Sequence, residues 1–313
     1  MNIMKPLVII AGPTAIGKSD IAVKLAKLIN GEIISADSMQ VYKRMDIGTA
    51  KITSEEMQGV RHYLIDELDP SCDFNIVYFQ TKAHEAMEEI YKRGHIPMIV
   101  GGTGFYIQSV LYDIDFEESV EIPEYRQSLI RIIEENGPEY LHNMLKEVDE
   151  EAANRIHFND QKRVIRALEY YHQTGEKISE HNKLESIKES PYNFAYFVLN
   201  DEREDIYNRI DFRVDKMIEK GLIEEVKSLM DEGLTLDNIS MKGLGYKEII
   251  LYLQGQISLD EAIRIIKRDT RHFAKRQITW FKREKDVSWI MRNEDQVMLE
   301  KMLIELKKKG IIE

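Results

Sequence analysis

The chain has 313 residues, 43% of them hydrophobic and 31% charged, with a net charge of −12. That length suits one large domain or two ordinary ones with ample core. A single cysteine, Cys72, excludes an internal disulfide and any cysteine-based zinc cluster, as expected in a reducing cytoplasm. The opening stretch MNIMKPLVII is far too short to span a bilayer, so no membrane partner is expected.

The first apolar run, residues 6–11, reads as a buried strand and leads directly into GPTAIGKS (12–19). Gly12, four residues, then Gly17, Lys18 and Ser19 complete the G-x-x-x-x-G-K-[ST] phosphate loop, and residues 18–30 read as the helix behind it. EIISAD (32–37) reads as a second strand, residues 75–93 as a helix, and HIPMIVGG (95–102) as a third strand. Strand, loop, helix and strand in this order specify a parallel sheet with helical crossovers. Residues 120–175 are nearly all helical in pattern, with breaks at Gly137-Pro138 and at 157–160 and a stop at Gly175. Residues 176–190 are polar and poorly periodic, which predicts a mobile surface loop. NFAYFVL (193–199) predicts a strand that rejoins the sheet, and amphipathic helices are expected from there to the end. The fold class expected is α/β: a parallel-sheet core with a phosphate loop and helices on both faces, formed by 1–114 and 191–313. It carries a mostly helical insertion over 115–190.

The backbone amides of Gly12, Pro13, Thr14, Ala15, Ile16, Gly17, Lys18 and Ser19, excepting that of proline, offer a nest for a nucleotide or another diphosphate. Lys18 adds a mobile charge and Ser19 a ligand for Mg2+. A nucleotide hydrolase normally ends a neighbouring strand with an acid that orients the metal. Here the third strand ends in Gly101-Gly102-Thr103-Gly104, with no carboxylate, and the only acid at a strand end is Asp37. It is followed by Ser38, Met39 and Gln40, a polar cluster suited to a base edge. Asp37 is thereby free to take a proton from a nucleophile, and Thr103 to approach a bridging phosphate oxygen. The alternative makes Asp37 a helix cap and the glycine-rich stretch a plain turn.

Residues 263–285 hold nine basic residues against Asp269 and Glu284, a net +7 that leaves −19 on the remainder. With Phe273, Trp280 and Phe281 interleaved, the segment suits a nucleic-acid backbone, with Arg271, Lys275 and Arg276 as contacts. A solvated helix face with its aromatics turned inward is the alternative. Arg163 and Arg166 share one side of a helix in QKRVIRALE (161–169), and Arg209 and Arg213 repeat at i, i+4. The latter pair is suited to reaching the phosphates from the side opposite Lys18, or else to pairing with Asp205, Asp211 or Asp215. The histidines show no metal-ligand spacing, and acid pairs such as Glu88-Glu89 and Glu117-Glu118 read as solvated faces.

GPTAIGKS (12–19), ISADSMQVYKRMDIGTAK (34–51), GGTGFYIQSVL (101–111), RIHFNDQKRVIRALE (155–169), KGLGYKEI (242–249) and RHFAKRQITWFK (271–282) together resemble the bacterial tRNA dimethylallyltransferases (tRNA isopentenyltransferases). The likeness covers nearly the whole chain. Phe158 stands where the family usually has proline, and no zinc-finger extension follows residue 285, which fits the bacterial type. The resemblance implies transfer of a dimethylallyl group from dimethylallyl diphosphate to the N6 amine of the adenine beside the anticodon, releasing pyrophosphate. It implies Asp37 as the group that binds and deprotonates that amine, and Thr103 as hydrogen-bonding the bridging or leaving phosphate oxygen. Lys18, Ser19 and Arg213 then stabilise the departing charge. Residues 37–40 and Gln161, Lys162, Arg163, Val164 and Ile165 are implied to touch the anticodon stem-loop, with Arg166 and Arg126 as further candidates in the insertion. A cytoplasmic monomer is expected. A small-molecule or nucleotide kinase, a prenyltransferase acting on free AMP and a non-catalytic RNA-binding module are the rival readings.

Overall fold

The computed structural model describes residues 4–116 and 122–313; Glu117 and Glu118 lie outside the described residues. The elements follow in chain order. β1 (Lys5–Ala11), α1 (Lys18–Ile29), β2 (Gly31–Ala36), α2 (Ser54–Met57), β3 (His62–Tyr63), α3 (Ile76–Lys92), β4 (Ile96–Gly101) and α4 (Gly104–Leu111) come first. Then come α5 (Pro123–Asn136), α6 (Pro138–Val148), α7 (Glu150–Arg155), α8 (Gln161–Thr174) and α9 (Ile178–Ser186). β5 (Tyr192–Asn200), α10 (Arg203–Glu219), α11 (Leu222–Asp231), α12 (Tyr246–Leu253), α13 (Leu259–Phe281), β6 (Val287–Met291) and α14 (Asp295–Lys308) complete the chain. It divides into two compact units, one made of Met1–Leu111 with Pro191–Glu313 and the other of Tyr112–Ser190.

The first unit is built on one six-stranded sheet in the order β3-β2-β4-β1-β5-β6, all parallel. Leu7 through Ala11 are all fully buried, on both alternations of the strand. Such a continuous apolar run is what a parallel strand covered on both faces requires. On one face Val8, Ile10, Met98, Val100 and Phe197 pack with Ile21 and Leu25 of α1 and Met302 and Leu306 of α14. Ala11 pairs with Gly101, and Gly101 with Ala36. The three chain segments that leave the sheet there (the phosphate loop, the Gly102-Thr103 turn and Asp37) therefore start side by side, at the carboxyl ends of the strands where open parallel sheets bind ligands.

The second unit has its own core, in which Leu129 of α5, Leu141 and Leu145 of α6, Ala152 and Ala153 of α7 and Val164 and Leu168 of α8 pack together.

Three expectations are corrected. Residues 176–190 are not a loop throughout, because α9 forms within them. The buried Asp149 carboxylate accepts the Ser179 amide at 2.9 Å and the Ser179 hydroxyl at 2.7 Å, which pins the start of that helix. The C-terminal region is not all helical: Val287–Met291 adds a strand to the sheet edge, with Ile290 opposite Leu199. Finally, the two-residue β3 makes 96–101 the fourth strand in chain order.

Candidate active site

The phosphate loop turns through Ala15 in a left-handed conformation (φ 63°) and delivers Lys18 to the first turn of α1. The Lys18 ammonium donates to the carbonyls of Gly12 (3.0 Å) and Pro13 (2.9 Å), closing over its own loop. Burial pushes that ammonium down to about 8, with Asp37 acting against the shift and Arg213 adding to it. Arg213, half-buried on α10, is likewise lowered first by burial, and Asp37 opposes the change. One carboxylate and two cations therefore share a field at the mouth of the loop. The Ser19 hydroxyl is exposed, and among the described residues its side chain makes no hydrogen bond.

Asp37 follows β2 and accepts the amides of Met39 (2.9 Å) and Gln40 (3.4 Å) through one oxygen, Oδ1. No helix begins there, so the capping alternative reduces to a turn that leaves Oδ2 for other partners. The Gln40 amide donates to the carbonyls of Thr49 (3.3 Å) and Ala50 (3.4 Å), and Ser38 is half-buried beside it in the chain. Thr103 anchors its own amide on the Ala36 carbonyl (3.2 Å) and opens α4, its carbonyl taking the amides of Tyr106 and Ile107. The glycines around it have a specific cause. A Cβ on Gly104 would lie 2.2 Å from Cδ1 of the Trp280 indole, and one on Gly102 2.2 Å from the Gln277 amide nitrogen, so α13 lies directly against this turn.

Three residues that the sequence did not single out hold loops here, and a fourth, Asp201, takes Arg209. Gln277 of α13 accepts the Thr14 amide (2.8 Å) and donates to the Gly102 carbonyl (3.0 Å). Arg292, just past β6, donates to the Ile16 carbonyl at 2.5 Å. The Glu225 carboxylate of α11 accepts the amides of Asp46 (2.9 Å), Ile47 (2.7 Å) and Gly48 (3.0 Å), and also the buried Tyr246 hydroxyl (2.6 Å). Asp201 is a second acid at a strand end, directly after β5, and it pairs with Arg209. Arg209 is therefore committed to Asp201 and not to the phosphate loop, and none of the three partners weighed for it from sequence is the one it takes. The signal for Gln277 was present: it is a polar residue on the buried side of an otherwise basic helix.

On α13, Arg264 pairs with Glu261, Lys267 with Asp215, Arg268 with Asp269, and Arg271 with Asp211. Ala274, Gln277 and Phe281 face inward. Among the described residues, Lys275, Arg276, Lys282 and Arg283 form no salt bridge. Lys275, Arg276 and Arg283 line a shallow cleft with His272, Thr279 and Trp280. Four of the cations are thus paired with acids, and Lys275, Arg276 and Arg283 remain as a basic strip along the cleft. In the helical unit, Gln161, Lys162, Arg163 and Arg166 are exposed on α8, whereas Val164 and Ile165 are buried in that unit's core. Their side chains are taken by packing, so any contact at those two positions is limited to backbone. Arg126 is held in a two-point pair with the buried carboxylate of Glu169.

The profile of the IPP transferase family matches residues 40–284, and that of isopentenyl transferases matches residues 5–73. The chain belongs to the IPP transferase family. It is 56% identical to the tRNA dimethylallyltransferase of Lachnoclostridium phytofermentans, over 99% of this chain and 100% of that one. Among solved structures it is similar to the full-length tRNA isopentenylpyrophosphate transferase of Bacillus halodurans (43% identity, TM-score 0.74, 98% and 97% of the two chains). It is also similar to a eukaryotic dimethylallyltransferase acting on tRNA (31% identity, TM-score 0.85, 98% of this chain and 79% of that one).

Among the described residues of this IPP transferase, no three His, Cys, Asp or Glu side chains converge on a possible metal position. Mg2+ needs no such cage, since it keeps waters and binds through one or two protein groups plus phosphate oxygens. The open Ser19 hydroxyl at the start of α1 fits that requirement.

Proposed function

We propose that this IPP transferase moves a dimethylallyl group from dimethylallyl diphosphate to the exocyclic N6 amine of the adenine 3′-adjacent to the anticodon of tRNA, releasing pyrophosphate. The observation that carries the reading is the shared field of Lys18, Arg213 and Asp37 at the mouth of the phosphate loop, with the Thr103 turn leaving the sheet beside it. The activities for which the relatives are named support it.

In this reading the diphosphate lies on the amides of residues 12–19 and the N-terminus of α1, where backbone dipoles favour anions. Lys18, Ser19 and Arg213 stabilise the charge that grows on it as the carbon–oxygen bond breaks. Ser19 would hold Mg2+ on the protein side, and the ion would add neutralisation of the diphosphate charge. The adenine must leave its stack to reach this depth, as bases do in other base-modifying enzymes. The N6 lone pair forms the new bond to the allylic carbon, and the C–O pair departs with the diphosphate. Asp37, with Oδ2 unengaged, takes the amine proton, and the Thr103 hydroxyl hydrogen-bonds the bridging oxygen. The tRNA is held by residues 37–40 and Thr103, by Gln161, Lys162, Arg163, Arg166 and the backbone of Val164 and Ile165, by Arg126, and by the α13 strip with Lys275 and Arg276, joined by Arg271 on its Asp211 tether. The enzyme works as a cytoplasmic monomer; among the described residues no helix is long and apolar enough to cross a membrane.

The test is incubation with labelled dimethylallyl diphosphate and either tRNA or AMP, alongside ATP without tRNA. Label is expected on tRNA alone, with no ATP hydrolysis. Robust tRNA-independent ATPase or kinase activity would overturn the reading.

A further inference from the structure

We propose that Gln277 is a positioning residue for the transfer step, a rigid spacer that fixes the phosphate loop relative to the turn bearing Thr103. The inference rests on the proposed function above. Gln277 is only 6% exposed, and both ends of its amide are used. Oε1 takes the Thr14 N–H at 2.8 Å, inside the loop assigned to the diphosphate. Nε2 donates to the Gly102 carbonyl at 3.0 Å, one residue before Thr103. No backbone ladder joins Thr14 to Gly102, since the pairing of β1 with β4 ends at Ala11 and Gly101. Beyond the sheet, therefore, the two catalytic loops are linked through one planar side-chain amide.

The fit leaves little slack. A Cβ on Gly102 would meet the Gln277 nitrogen at 2.2 Å, and one turn further along α13 Trp280 closes on Gly104 in the same way. The chemistry needs such a spacer, because the leaving diphosphate sits on one loop and the donor to its bridging oxygen on the other. An error of about 1 Å between them can cost on the order of 10²-fold in rate. Gln277 touches neither substrate in this account. It acts through Thr14 and Gly102.

A buried glutamine that merely supports the fold would affect melting and little else, so the readouts are chosen to separate the two roles. Gln277→Met keeps length and removes both hydrogen bonds. Turnover at saturating substrates is expected to fall about 10- to 100-fold, with tRNA affinity within about twofold of wild type. Gln277→Glu offers a sharper reading. Its carboxylate can accept from Thr14 but sets an acceptor against the Gly102 carbonyl, whereas the protonated acid restores both bonds. Turnover relative to wild type should therefore recover as pH falls through the pKa of the new carboxyl. If the Met variant does not fold, the Glu variant carries the test alone. Wild-type kcat in the Met variant below its melting temperature, or a Glu variant whose pH profile parallels wild type, would overturn the proposal. Absence of tRNA labelling by the wild-type enzyme marks failure of the proposed function instead, and removes the inference with it.

Discussion

Lys18 sits between the carbonyls of Gly12 and Pro13 and shares a field with Arg213, and burial holds its ammonium near 8. A diphosphate binds the charged form. If the loop holds dimethylallyl diphosphate as proposed, affinity for it should be full below about pH 8 and fall as pH rises through it, by up to about tenfold per pH unit until the lysine of the complex also titrates. Titration calorimetry across pH 7 to about 10 measures this, and Lys18→Ala should flatten the limb while binding weakly throughout. Asp37→Asn keeps the turn bonds from Met39 and Gln40 but cannot take the proton. Turnover should drop by roughly 10²-fold or more with tRNA affinity little changed; near-wild-type rates in single-turnover assays would reduce Asp37 to a turn former. Lys18, Ser19, Asp37 and Thr103 were legible because each lies in a short local motif whose geometry follows from neighbouring residues. The roles of Arg292 and Glu225, and the partners of Gln277, were not, because the tertiary fold fixes those partners, 276, up to 179 and 263 residues away.

Among the elements, α11 and α13 each fasten loops that the sheet does not reach. Glu225 gathers three consecutive amides at 46–48 and the Tyr246 hydroxyl, so one carboxylate fixes the loop after β2 to α11 and α12. Glu225→Ala should lower stability by about 2 kcal/mol, seen as an earlier urea midpoint, because the part-buried amides and the buried hydroxyl lose their acceptor. On α13 the cations divide by partner. Lys275→Ala with Arg276→Ala should make the slope of log tRNA affinity against log salt shallower, by about 0.7 to 0.9 for each phosphate that is no longer neutralised. Arg271→Ala strips the counter-charge from Asp211 and should also lower the melting temperature. An unchanged slope in the double variant would move the tRNA-binding surface elsewhere, toward Arg163 and Arg166. Two elements were hidden from sequence reading for identifiable reasons. α9 owes its start to the distant Asp149 and not to its own periodicity, while β6 is five residues of edge strand that follow a charged run and gain their hydrogen bonds from β5.

For the molecule as a whole, the change of character near residue 113 and the return to strand at 193 marked the two units, because a self-contained core must carry its own apolar positions. Leu129, Leu141, Leu145 and Leu168 provide one for the helical unit. A fragment of residues 112–190 should accordingly melt cooperatively by circular dichroism; a flat melt would show that this core depends on the other unit. The order of the sheet has a temporal meaning as well. The phosphate loop is synthesised early, but Gln277 and Arg292, which hold it, follow 263 and 276 residues after their partners. At the pace of translation, on the order of 5 to 20 residues per second, the nascent loop waits many seconds for them. Until α13 and β6 emerge from the ribosome, a growing chain carries the complete phosphate motif without the two side chains that hold it.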